Sequence, residues 1–69
     1  MKAKITKTII QEGQYIYRDN LYNFPSFKDA QKRLMLIKNK CKYKIINNNK
    51  SEFVCDKGFS KLLFKVEKQ

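Results

Sequence analysis

The chain has 69 residues, a length that limits it to one small domain over residues 1–69. Its formal net charge is +10. Hydrophobic residues make up 42% of it, with five Phe and four Tyr, and this content excludes a disordered tail. The longest fully apolar run, Leu34 to Ile37, is too short to cross a membrane, and the first ten residues lack the apolar centre of a signal peptide. We therefore predict a cytoplasmic domain with reduced cysteines and no membrane partner.

The first element in chain order is a predicted β-hairpin. The segment "MKAKITKTII" alternates so that Ala3, Ile5 and Ile9 share one face of a strand. Gly13 supplies the positive φ that a tight turn needs, and "QYIYR" continues as the second strand. The next two residues, 19–20, read "DN" and predict another turn, after which "LYNF" is a short continuation strand ended by a proline.

Two tyrosines of the second strand leave a choice of face. Tyr15 and Tyr17 flank Ile16, so the tyrosines point to one side of a regular strand and the isoleucine to the other. If Ile16 faced the core, both rings would lie on the open face beside Arg18, as in proteins that stack single-stranded nucleic acid on aromatic rings. Because tyrosine is a common half-buried strand residue, we favour the core position.

The segment "SFKDAQKRLMLIKNK" predicts the one helix. Ser26 is a good N-cap and Asp29 lies near the positive end of the helix dipole. Helical spacing places one apolar stripe against the sheet and leaves Met35 and Leu36 on the outer side. The predicted stripe contains Phe27, Ala30, Leu34, Ile37 and Cys41, and the outer side also carries Lys28, Lys32 and Arg33.

After the helix, the segment "KNKCKYK" has a lysine at every second position and predicts a strand with Lys40, Lys42 and Lys44 on one face. A hairpin around residues 47–49 follows, and the preferred register sets Lys44 opposite Glu52 and Lys40 opposite Asp56, with Asn49 in a left-handed conformation. A competing register, with the loop one residue later, pairs Lys42 with Asp56.

The preferred register also sets Cys41 opposite Cys55, within disulfide range, but we favour two reduced thiols packed as small apolar groups. A turn at 56–58 leads into a last strand, "FSKLLFKV", with Leu62, Phe64 and Val66 on one face. The predicted fold is α+β: order ββ-α-βββ, with one helix packed on an antiparallel sheet.

Most catalytic and metal chemistry is set aside by composition. There is no His, two Cys cannot make a zinc site, and two Gly cannot make a glycine-rich phosphate loop. Six carboxylates remain, of which Glu52 and Asp56 share a strand face and leave a metal-dependent nuclease open. Because the carboxylates have capping or pairing roles, we expect no enzyme, no cofactor and no metal site.

A resemblance comes from the stretch "IIQEGQYIYRDNLYNFPSFKDAQKRL…YKII", residues 9–46. It resembles small uncharacterised proteins of phages and mobile elements, which have a hairpin, a helix with an apolar "A…L" stripe and then a basic strand. This chain adds a further hairpin and lacks a Trp near the second strand. The resemblance implies an accessory role in a phage or mobile element, acting in the host cytoplasm, and transfers no site residues.

The sequence thus predicts a small basic binding protein. The favoured partner is nucleic acid phosphate, contacted with little sequence specificity because most of the cations are Lys rather than Arg. The predicted contacts are Lys28, Lys32, Arg33, Lys40, Lys42 and Lys44. The alternative is a protein-interaction module or inhibitor of an acidic host or defence protein, with Met35 and Leu36 at the interface and a homodimer as a variant. The A/T-rich codons of Lys, Ile, Asn, Tyr and Phe offer a non-functional origin for the lysine excess.

Overall fold

A computed structural model describes residues 2–69 and confirms the α+β class. Its five strands form one antiparallel sheet in the spatial order β2-β1-β5-β4-β3, and the single helix packs on one face of it. The elements are β1 (Ala3–Gln11), β2 (Gln14–Phe24), α1 (Phe27–Asn39), β3 (Lys44–Ile46), β4 (Glu52–Asp56) and β5 (Ser60–Lys68). No helix within residues 2–69 has the length and apolarity needed to cross a membrane.

The first hairpin is longer than its turn signals suggest. Glu12 and Gly13 form a two-residue loop in which both φ values are positive, 53° and 78°, as a type I′ turn requires. The turn predicted at 19–20 is wrong, because Asp19 and Asn20 lie within β2 and pair with Lys7 and Thr6. The strand continues through both residues, and a register shift next to Asn20 accommodates an extra residue without a reversal of chain direction.

Another register shift explains the tyrosines. Tyr17 pairs with Ile9 and Tyr15 with Ile10, so Ile16 has no partner and the regular alternation is lost. The predicted core position is wrong for both rings: Tyr15 is 77% exposed and Tyr17 is 53% exposed. The shift turns the two rings to opposite faces: Tyr17 lies on the helix side in line with Ile9, and Tyr15 lies on the open side in line with Ile10 and Lys61.

The helix forms as its sequence predicts. The Ser26 hydroxyl accepts a hydrogen bond from the Asp29 amide at 3.2 Å, and the helix ends at the C-cap Lys40. Ala30 and Leu34 are buried against Ile5, Phe53 and the other core residues. The remaining predicted stripe residues, Phe27, Ile37 and Cys41, are partly buried against the same cluster, so the stripe prediction is confirmed.

The second hairpin has a different register from both predictions. Lys44 pairs with Asp56, Ile45 with Cys55 and Ile46 with Val54. Because β3 starts only at Lys44, the pairing is displaced from both predicted registers. Lys40 and Lys42 therefore lie outside any strand and have no cross-strand acid.

The displaced register also changes the loop. Asn47, not Asn49, takes the left-handed conformation, with φ 51°. The Asn49 side chain instead accepts hydrogen bonds from the amides of Ser51 and Glu52, at 2.9 and 3.0 Å. This asparagine cap fixes a wide loop in place of the predicted three-residue turn.

Cys41 and Cys55 form a disulfide, so the expectation of reduced thiols is wrong. Cys41 does not sit in a strand opposite Cys55; it follows the helix C-cap, and the bridge ties that end of α1 to β4. The last strand has the predicted facing, with Phe64 and Val66 buried and Leu62 partly buried against the helix side of the core.

Candidate functional site

The charges are distributed unequally between the two faces of the sheet. On the face away from the helix, Glu52 lies opposite Lys65 and Asp56 lies opposite both Lys61 and Lys44. On the same face the Arg18 guanidinium is 2.7 Å from the Glu67 carboxylate. Three of the six acidic residues thus face basic partners on this open side. The excess positive charge is correspondingly greater on the helix side.

Two depressions have residues of α1 in their walls, and we call the larger of these two the helix groove. It runs between the outer side of α1 and the loop 48–50, with a volume of about 540 Å³. Met35 and Leu36 supply its exposed apolar surface, and the buried side chain of Leu34 lies beneath them. Its basic residues are Lys28, Lys32, Lys38 and Lys50. None of the described residues that line it is acidic.

The walls of the helix groove are held together by direct contacts. The Gln31 side-chain amide donates to the Ser51 hydroxyl at 3.4 Å, and the Ser51 carbonyl accepts from the Val66 amide at 2.7 Å. Lys38 places its ammonium 5.7 Å from the centre of the Phe53 ring, so its stem lies along the apolar surface beside α1. The groove is therefore a formed feature that joins helix, loop and sheet.

The smaller depression, which we call the disulfide cavity, lies under the helix C-terminus. It has a volume of about 270 Å³ and an apolar lining that includes Ile37, Leu62, Phe64 and the disulfide. Its polar rim consists of Lys40, Lys42, Tyr43 and Lys57. The Lys57 ammonium lies 5.3 Å from the centre of the Tyr43 ring, in the range of a cation–π contact. Within the part of the chain that the structure describes, no carboxylate lines this cavity.

The disulfide cavity opens at one end of the sheet, which we call the hairpin end. The turn of the first hairpin meets the β4–β5 turn there, since the Glu12 amide donates to the Phe59 carbonyl at 3.1 Å. Exposed rings collect at this end: Phe59 is 70% exposed, and Tyr43 is half exposed on the rim of the cavity. Tyr15 and Tyr17 stand on the neighbouring hairpin. The sequence pattern indicates Tyr15 and Tyr17 as candidates for base stacking but contains no signal for Phe59.

The six predicted phosphate contacts do not share one cavity. Lys28 and Lys32 line the helix groove, whereas Lys40 and Lys42 line the disulfide cavity. Arg33 places its guanidinium carbon 4.8 Å from the centre of the Tyr22 ring, on the β2 side of the helix. The last of the six, Lys44, lies on the open sheet face opposite Asp56. The predicted apolar pair, Met35 and Leu36, is exposed and lies in the helix groove.

Comparisons of the chain with protein-family models, with curated proteins and with solved structures each return no match. The resemblance to small phage and mobile-element proteins therefore stays a prediction.

Proposed function

We propose that this protein is a non-enzymatic binding protein that holds single-stranded nucleic acid at the hairpin end with little sequence specificity. The observation that supports the proposal is the cavity rim, where Lys40, Lys42 and Lys57 stand beside the exposed ring of Tyr43. Single strands are commonly held by lysines that contact phosphates and by aromatic rings on which bases stack. The exposed ring of Tyr17, which lies on the cavity's side of the sheet in line with Ile9 and Leu62, and the exposed ring of Phe59 extend the stacking surface beyond the cavity.

The binding mechanism would be charge neutralisation with release of counterions. Each phosphate that meets a lysine displaces a condensed cation, so affinity falls steeply as salt concentration rises. A lysine ammonium lacks the planar fork with which Arg recognises base edges, and only two of the sixteen basic residues are Arg. Stacking tolerates every base, since each has an aromatic face. Low sequence specificity follows from both contributions.

A non-enzymatic role is part of the proposal. The two carboxylates that left a nuclease open, Glu52 and Asp56, lie on the open sheet face with lysines opposite them, away from the disulfide cavity. Asp56 is further engaged, because its carboxylate accepts from the Gly58 amide at 2.9 Å. An accessory role in a phage or mobile element is also proposed, on the sequence resemblance alone.

The cellular location carries two opposing arguments. The sequence favours the cytoplasm, whereas the Cys41–Cys55 disulfide favours an oxidising compartment, because cytosolic thiols are normally kept reduced. Alkylation of free thiols in freshly lysed cells, followed by mass determination of the protein, distinguishes the two locations. Two alkylated cysteines would support the cytoplasm, and an unmodified protein would support an oxidising location.

The test of nucleic-acid binding is a fluorescence anisotropy titration with a labelled mixed-sequence single strand of about 16 nucleotides. Two variants carry the same loss of charge at different places: Lys40→Gln with Lys42→Gln at the disulfide cavity, and Lys28→Gln with Lys32→Gln at the helix groove. We expect the first variant to lose clearly more affinity than the second. Equal losses would mean that net charge alone drives binding, and binding that is absent or insensitive to salt would refute the proposal.

A second comparison isolates stacking from charge. Tyr43→Leu keeps an apolar side chain and the net charge but removes the aromatic face. We expect a loss corresponding to roughly 1–3 kcal/mol, the usual range for one stacked base. Tyr22→Leu is the matched control, since Tyr22 lies on β2 beside Arg33 and away from the cavity. Equal effects of the two substitutions would contradict a stacking role for Tyr43.

A further inference from the structure

We propose that the helix groove is a docking site for an acidic amphipathic helix of a protein partner. This inference concerns a surface separate from the disulfide cavity and does not depend on the proposed nucleic-acid function. Met35 is 59% exposed and Leu36 is 53% exposed, although both are large apolar side chains. Adjacent exposed apolar residues inside a groove are typical of a surface that a partner covers.

Charge complementarity determines the sign of the charge that the partner must carry. Four lysines, Lys28, Lys32, Lys38 and Lys50, surround the apolar surface, and no described residue of the lining is acidic. A partner that carries carboxylates beside its apolar anchors would neutralise these ammonium groups as it covers Met35 and Leu36. A second copy of this chain is a poor occupant, because it brings a further net charge of +10.

The apolar surface also argues for a protein occupant rather than a nucleic-acid backbone. Phosphate and sugar offer polar and charged groups, which gain nothing by covering Met35 and Leu36. A protein helix places apolar side chains at i, i+3, i+4 and i+7 on one face and acidic side chains on either side of them. This pattern matches an apolar centre with lysines on both walls.

A helical partner fits better than an extended one. An extended peptide needs free backbone donors and acceptors to pair with, but three amides of residues 49–52 are already engaged within the loop. The amides of Ser51 and Glu52 donate to the Asn49 side chain, and the Asn49 amide donates to the Glu52 carbonyl at 3.0 Å. A helix satisfies its own backbone and needs only side-chain contacts. From Lys28 to Asn39 the α1 wall measures about 16 Å, the length of roughly three helical turns.

The test uses two synthetic peptides of about 14 residues, close to four helical turns. Both contain only Leu and Glu in the same number. One places Leu at i, i+3, i+4 and i+7, and the other distributes Leu around the helix. Fluorescence anisotropy with the whole chain should show the amphipathic peptide binding at least about tenfold more tightly than its isomer. Equal binding of the two peptides would overturn the proposal, since charge alone would then explain it.

The protein variants locate the site. Met35→Ser with Leu36→Ser should weaken the amphipathic peptide about tenfold or more and leave oligonucleotide binding unchanged. Lys40→Gln with Lys42→Gln should weaken the oligonucleotide more than the peptide. A peptide affinity that the Ser substitutions do not change would overturn the proposal. Displacement of the peptide by oligonucleotide, or a self-association that the Ser substitutions abolish, would assign the groove to nucleic acid or to a second copy instead.

Amide chemical-shift mapping on the unmodified protein keeps the test independent of how the variants fold. In the presence of the amphipathic peptide, the largest changes should fall in residues 28–39 and 48–50, the two walls of the groove. Changes centred on the hairpin end, near Tyr15 and Phe59, would overturn the proposal. Failure of oligonucleotide binding in the same sample would refute the proposed nucleic-acid function and leave this inference standing.

Discussion

Loss of the Cys41–Cys55 disulfide should destabilise the domain strongly. The bridge joins cysteines 14 residues apart in sequence, and the loop-entropy relation gives about 3 kcal/mol for a closed loop of that length. A domain of 69 residues has a free energy of unfolding of only about 3–10 kcal/mol, so the bridge is a large fraction of it. At roughly 4–8 °C per kcal/mol for small domains, reduction should lower Tm by about 12–24 °C.

Thermal unfolding followed by circular dichroism measures this effect, with and without a phosphine reductant. Reduction of the unmodified protein removes the cross-link without changing side-chain size, whereas Cys41→Ala with Cys55→Ala also removes sulfur contacts at the buried Cys55. The double variant should therefore melt at or slightly below the reduced protein. A Tm that changes by less than a few degrees on reduction would refute the reasoning, because the loop-closure entropy would then contribute nothing.

Three further predictions follow from particular residues. Leu34→Ala should cost about 2–5 kcal/mol in the free energy of unfolding because Leu34 is buried. Leu36→Ala, two positions later, should change the free energy of unfolding by less than about 0.5 kcal/mol because Leu36 is exposed. Chemical denaturation of both variants measures the contrast, and equal costs would contradict the assigned helix faces. Ser26→Ala should cost about 1 kcal/mol through loss of the N-cap, and an unchanged denaturation midpoint would contradict it. For single-stranded DNA, Lys40→Gln with Lys42→Gln should reduce the slope of log affinity against log salt by about 1.4, and an unaltered slope would remove these lysines from the contact.

The helix and the fold class could be predicted because their signals are local. Ser26 and the apolar spacing of Ala30 and Leu34 act within a few residues, and the same spacing places Met35 and Leu36 outside. Alternation identified strands β1 and β5 for the same reason. Such patterns report which side of an element is apolar, and they need no knowledge of what covers it.

Pairing register and covalent bridges could not be predicted, because they depend on residues distant in sequence. Asp19 and Asn20 have turn chemistry, but the pairing of β1 with both β2 and β5 keeps them in a strand. Lys40 and Lys42 alternate like strand residues, yet the helix C-cap and the Cys41–Cys55 bridge hold this segment against β4 before β3 begins. The bridge takes the place of the strand pairing that the lysine spacing predicts.

The placement of the lysines bears on their function more directly than their number. A/T-rich codons would raise the lysine content everywhere, but they give no reason for Glu52, Asp56 and Glu67 to share the open sheet face with basic partners. They also give no reason for acids to be missing from the described linings of the helix groove and the disulfide cavity. A purely compositional excess predicts that two lysines removed anywhere reduce polyanion affinity equally. Functional placement predicts that the position of the loss matters. The paired substitutions at Lys40 and Lys42 and at Lys28 and Lys32 hold net charge constant and vary position alone, so unequal effects would exclude composition as the whole explanation.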